Sequence, residues 1–73
     1  MTLQDLGYYS DMNDIYYAYK LGYSFDNFEI WENHLYFFLT ANSNYGKIYI
    51  EQINGSIINY SFTYQSKQGD TNI

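Results

Sequence analysis

One histidine, eight carboxylates and a scatter of serines are the residues of this chain with chemistry to offer. His34 falls in the dipeptide Asn33-His34 between two apolar runs, where turn formation is a simpler reading than proton transfer. A serine nucleophile needs a base that a third group holds in place, and nothing marks one serine as the partner of His34. Carboxylates come in pairs: Asp11 with Asp14 on neighbouring helical positions, and Glu29 with Glu51 across a sheet face. Either pair offers oxygen ligands to a divalent ion. The Asp11 to Asp14 stretch nevertheless lacks the glycine and distal glutamate of a calcium loop, and a solvated helix start accounts for it. The sequence carries no Gly-rich phosphate loop, metal-spaced Cys/His set or nucleotide fingerprint. The expectation is a non-enzymatic chain with no cofactor and no metal.

Contact chemistry is what remains, and the eleven tyrosines dominate it. Tyrosine joins a large apolar ring to a hydroxyl tip with two torsions to freeze, so it suits a half-wet core and a binding surface alike. Charge narrows the choice of partner. The net charge of −5 resides in residues 1–34, where Asp5, Asp11, Asp14, Asp26, Glu29 and Glu32 face a single Lys20, and the chain has no arginine. Phosphate backbones are bound by Lys and Arg displacing counterions, so direct nucleic-acid binding is not expected. Aromatics on a sheet can stack bases, but here Glu29, Glu32 and Glu51 would flank them. A protein partner with a basic surface is favoured. Abundant Asn, Ile and Tyr are the mark of AT-rich coding, which usually brings Lys as well, and its scarcity suggests selection against positive charge.

A chain of this length makes one domain that hides about 60% of its unfolded surface, a marginal amount. Without cysteine, neither disulfides nor thiolate metal sites are available, and a cytoplasmic setting is expected. The longest apolar run, Leu35 to Leu39, is far short of the roughly 20 residues of a membrane helix, and the N-terminus lacks the pattern of a signal peptide.

The elements follow from period and punctuation. Leu6-Gly7 and Leu21-Gly22 read as helix ends, and Ser10 or Asp11 as the start of a helix over about 11–21. Met12, Ile15, Tyr16 and Tyr19 form its apolar stripe, while Tyr17 and Leu21 lie on its outer side near Asp14. From Phe28 the period becomes two, which predicts four antiparallel strands at about 28–32, 35–41, 46–53 and 57–64. The fold class expected is therefore α+β, an N-terminal helix packed on a four-stranded antiparallel β-meander. Residues 1–64 make the domain, and 65–73 form a polar, frayed tail.

Register sets the faces. A loop of odd length at Ile53-Asn54-Gly55 sets Ile50 opposite Ile58 and Ile48 opposite Tyr60. The helix-covered side then carries Phe28, Ile30, Leu35, Phe37, Leu39, Ile48, Ile50, Ile58, Tyr60 and Phe62. The other side carries Trp31, Tyr36, Phe38, Tyr49 and Ile53, an aromatic patch rimmed by carboxylates where polar residues would be normal. The N-terminal segment, with Leu3, Leu6, Tyr8 and Tyr9, is the alternative cover for that face.

The expected partner-binding residues are thus the acids Asp11, Asp14, Asp26, Glu29 and Glu32, and the apolar Tyr17, Leu21, Trp31, Tyr36, Phe38 and Tyr49. In size, acidity, lack of arginine and AT-rich coding the chain resembles the general profile of phage or mobile-element inhibitors of host nucleases and defence complexes, anti-CRISPR proteins among them. The resemblance is one of composition and covers no alignable segment. It implies an inhibitor whose carboxylates stand in for phosphates, as a DNA mimic does, while aromatics anchor the contact. A homodimer burying the aromatic sheet face is the alternative function.

Overall fold

The computed structural model describes residues 2–24 and 30–73. Its frame is an antiparallel meander of β1 (Thr2–Tyr8), β2 (His34–Leu39), β3 (Tyr45–Asn54) and β4 (Ile57–Tyr64), side by side in that order. The sheet is four-stranded as expected, but its first strand is not the expected one. Residues 30–32 take no strand conformation, Phe28 and Glu29 lie outside the described residues, and the edge beside β2 is filled by the N-terminal segment as β1.

The helix expected over 11–21 does not form, which corrects the α+β assignment. Among the described residues the chain has one 3-10 turn, Met12–Asp14, and Ile15 already leaves it in an extended conformation. Asp11 and Asp14 do act as caps, but the segment beyond them opens with Ile15, Tyr16, Tyr17 and Tyr19, residues that lose side-chain freedom in a helix and pack well on extended backbone. Residues 15–24 run as a strap across one sheet face. Ala18 N donates to Thr71 O at 2.7 Å and Ile73 N to Tyr16 O at 3.1 Å, so the strap pairs with the chain's last residues. Residues 65–73, expected to fray, are fastened by these bonds and by Gly69 N to Ser43 O at 2.8 Å.

Strand β2 is central and buried on both faces: Leu35, Tyr36, Phe37 and Phe38 are all closed to solvent. Its partners in β3 are Tyr49 for Leu35, Ile48 for Tyr36, Lys47 for Phe37 and Gly46 for Phe38. The expected arrangement, which sets Phe38 and Tyr49 on one face, is a register of the other parity, and a shift by an odd number of residues exchanges faces. The consequence is a rearranged core. Leu35 and Phe37 pack with Ile15 under the strap, with Leu6, Tyr9, Met12, Tyr23, Tyr49 and Ile73 around them. Ile48, Ile50, Tyr60 and Phe62, expected beside Leu35 and Phe37, share the opposite face with Tyr36 and Phe38.

Gly46 helps to set this register. A Cβ at Gly46 would overlap the Phe38 ring, which lies across it and stacks on Tyr64 at 6.2 Å between centroids and 5° between planes. In the last hairpin Asn54 pairs with Ile57, so the turn is Gly55-Ser56. The extra residue expected in that loop sits instead in a bulge between Ile50 and Gln52, leaving Ile50 opposite Tyr60 and Ile48 opposite Phe62.

Candidate functional site

Among the described residues, the expected acids Asp11 and Asp14 stand together while Glu32 is engaged elsewhere. Asp11 and Asp14 build a capping box: Asp11 Oδ1 accepts from Asn13 N at 2.9 Å, and Asp14 Oδ2 accepts from Asp11 N and Ser10 Oγ, each at 3.3 Å. Glu32 Oε1 accepts from Ile53 N at 2.7 Å, capping β3 where it runs past the end of β2. Asp26 and Glu29 lie outside the described residues. Three carboxylates are thus engaged as backbone acceptors at two separate places, while their charge remains exposed to solvent.

The aromatic set divides as well. Tyr17 and Leu21 stand exposed on the strap and Trp31 is half exposed. Tyr36 is 1% exposed, its hydroxyl accepting from Trp31 N at 3.1 Å, and Phe38 is buried. Tyr49 is partly buried and donates to Tyr9 O at 2.7 Å, tying β3 to the chain that covers it. Burial and Asp5's charge push the Tyr36 hydroxyl pKa up, against the pull of the Trp31 hydrogen bond.

The exposed apolar row is elsewhere, on β4. Ile58 is 44% exposed, Tyr60 57%, Phe62 61% and Tyr64 47%, and alternation puts all four on one face. Ile58 and Tyr60, with Ile48, Ile50 and Ile30, line an open apolar groove of about 280 Å³. The polar residues between them turn to the strap side, where Ser61 Oγ donates to Glu51 Oε1 and Asn59 Nδ2 reaches Gln52 Oε1 at 3.4 Å. β4 is also an edge: it ends the sheet, and no described residue pairs with its outer side. An eight-residue edge strand with no charge and no proline, presenting an apolar face, has none of the usual devices against strand addition.

The alternation of β4 is legible in the sequence, but the expected β2–β3 register, being of the other parity, points its apolar side into the core. The signal for an outward face is its lack of charge in a chain of net charge −5, together with its place as the last strand of a meander.

Asp5 and His34 form a contact the sequence does not suggest. His34 Nδ1 lies 2.9 Å and 3.2 Å from the two carboxylate oxygens of Asp5, and the Tyr8 ring meets the imidazole edge-on at 4.2 Å. Register brings them together: a bulge between Asp5 and Tyr8 turns both toward His34, with Gly7 in the left-handed region at φ 87°. The carboxylate makes Nδ1 the donor, as in a base held by its orienting acid. Nε2, however, is enclosed and meets no hydrogen-bond partner among the described residues. The pair clamps β1 to β2 and presents no nitrogen to a substrate.

A polar hollow of about 330 Å³ lies between the capping box and β3–β4, lined by Ser10, Asp11, Asn13, Glu51 and Ser61 among others. Its carboxylates are engaged by Asn13 N and Ser61, and among the described residues no three His, Cys, Asp or Glu side chains converge as metal ligands. Nor is any helix among them long and apolar enough to cross a membrane. The chain matches no protein-family model, no curated protein and no solved structure.

Proposed function

We propose that this chain is a non-enzymatic protein-binding module that makes its apolar contact through β4. The observation that carries the reading is the row Ile58, Tyr60, Phe62 and Tyr64, exposed on a strand whose outer edge is unpaired among the described residues. Exposed aromatics beside an apolar groove supply anchors that fill pockets, and an open edge supplies backbone hydrogen bonds in register. The net charge of −5, with no arginine, favours a partner with a basic surface. Within that class the module fits the role of an inhibitor of a basic nucleic-acid-binding protein of the host, working in the cytoplasm and occupying the protein's channel with carboxylates in place of phosphates. Acids speed and orient the encounter while apolar contacts slow release. The placement of Asp11, Asp14 and Glu32 in two separate groups makes charge a general bias and leaves the specific contact to β4.

The test compares the wild-type chain with Phe62→Lys as bait in a lysate of the cell of origin. A protein held by the wild type and lost with Phe62→Lys, but kept by Leu21→Lys on the strap, supports β4 as the contact. Equal capture by all three chains would refute it.

A further inference from the structure

A sheet that is apolar on both faces needs a packed layer on each. The strap and the chain's last residues supply one, over Leu35 and Phe37. On the opposite face the β4 row of Ile58, Tyr60, Phe62 and Tyr64 stands open. We propose that this face receives an amphipathic α-helix with basic flanks, carried by the partner protein and lying along the groove between Ile30 and Tyr60. The inference rests on the reading of β4 as the contact surface and names the element that the partner brings to it.

Shape selects a helix. Ile48 and Ile50 form the floor of the groove, with Ile30 on one side and Ile58 and Tyr60 on the other. From Ile58 to Tyr64 the row extends over six residue steps, about 20 Å at ~3.3 Å per residue. A helix rising 1.5 Å per residue covers that length in about 13 residues. Laid on the face, it fills the groove with a stripe of apolar side chains at i, i+3, i+4 and i+7. A strand added at the β4 edge would instead prolong the sheet sideways and leave the row open. Nor does a second copy of this chain fit, since its described residues hold no α-helix and it would bring carboxylates to carboxylates.

Charge selects the flanks. Glu32 stands at the Ile58 end of the groove, because its Oε1 accepts from Ile53 N and Ile53 pairs with Ile58. Asp5, paired with Tyr36, belongs to the same sheet face. No lysine projects onto this face from a strand: Lys47 is enclosed beneath the strap, and Lys20 and Lys67 lie outside the strands. Trp31, between Ile30 and Glu32 and 48% exposed, offers a ring on which a guanidinium or ammonium can rest. The face is thus apolar along its middle and negative at its charged border, the complement of an apolar stripe flanked by Lys or Arg.

The probe is a synthetic peptide of about 14 residues, free of tryptophan, with leucine at i, i+3, i+4, i+7 and onward and lysine beside that stripe. Its control holds the same residues in an order that breaks the stripe, so both carry the same charge. Trp31 is the chain's only tryptophan, and its fluorescence reports binding at the groove. With the wild type, the patterned peptide shifts that emission and gains helix by far-ultraviolet circular dichroism, since so short a helix is marginal alone. The control binds at least about ten-fold more weakly. Phe62→Lys weakens the patterned peptide by about 30-fold or more, the scale of losing a hot spot, and Leu21→Lys leaves it unchanged. Glu32→Gln keeps an acceptor for Ile53 N while removing the charge, and it weakens binding by about 2- to 5-fold with a smaller salt dependence.

Equal binding of the two peptides, or binding without a gain of helix, overturns the proposal. So does tighter binding of an alternating valine–lysine peptide, which would put the contact at the β4 edge, or self-association of the wild type through the row. The peptides are compared on the wild-type chain, so misfolding of a variant cannot imitate the result. If the patterned peptide fails while lysate capture is still lost with Phe62→Lys, the helix is wrong and β4 stands as a contact surface. Capture unaffected by Phe62→Lys removes both.

Discussion

Lys47 shows how far a single residue can depart from its usual place. It is 1% exposed beneath the strap, and its Nζ donates to Ile15 O at 2.6 Å. Burial holds its pKa below the ordinary 10.5, with the Asp11 carboxylate pulling the other way. Lys47→Ala removes the stem that fills the site and leaves the Ile15 carbonyl without its donor. Urea unfolding should show a loss of about 2–4 kcal/mol. Tyr23 carries the opposite pH signature. Burial first, and Tyr45 second, push its hydroxyl up to about 12 from 10.0, and its oxygen has no hydrogen-bond partner among the described residues. The unfolded chain therefore ionises first, and the stability Tyr23 contributes is complete below pH 10 and lost as pH rises toward 12. For Lys47 the unfolded chain binds more protons between its lowered value and 10.5, so over that window this group makes stability climb with pH. Tyr23→Phe should match or exceed the wild type at neutral pH, since it deletes an unsatisfied hydroxyl, and should flatten the alkaline loss seen in unfolding titrations. Neither role is legible in the sequence, because both depend on what the fold lays over the residue.

At the level of elements, the strands from His34 to Tyr64 lie close to their expected bounds because β-branched and aromatic residues dominate there. The helix is absent, and its failure has a local reason. Met12, Ile15, Tyr16 and Tyr19 have helical spacing, but Tyr16 and Tyr19 end up exposed while Ile15 and Ala18 turn inward from extended backbone. Far-ultraviolet circular dichroism should be dominated by strand, and a strong helical signal would contradict the absence of the helix. The β2–β3 register is illegible for a different reason. A strand buried on both faces reads as a continuous apolar run, and such a run does not say which of its sides meets which neighbour. Gly46 carries part of the missing information, through the Phe38 ring that lies across it. Gly46→Ala should cost about 1–3 kcal/mol in equilibrium unfolding by forcing that ring off Tyr64. A neutral Gly46→Ala would mean that the close approach does not help to set the register.

At the scale of the molecule, the described acids stand apart from the apolar row of β4, with Glu51 meeting that strand only through Ser61 on its other face. β4 bears no charged residue, whereas the turn at Met12–Asp14 and the chain beside β3 bear Asp11, Asp14 and Glu32. Association with a basic partner should therefore slow as salt rises from low to physiological levels, with release changing less, in stopped-flow measurements. An association rate indifferent to salt would remove charge from the account of binding. The sequence by itself determined the charge asymmetry, the absence of disulfides and the extended character of residues 34–64, since these follow from composition and short-range period. Tertiary structure alone decided that residues 15–24 become a strap held by Thr71 and Ile73, that Asp5 meets His34, and that β4 turns its rings outward. Each of those outcomes depends on a pairing between distant segments. A shift of parity in one such pairing reverses an entire face without changing the local pattern of any strand.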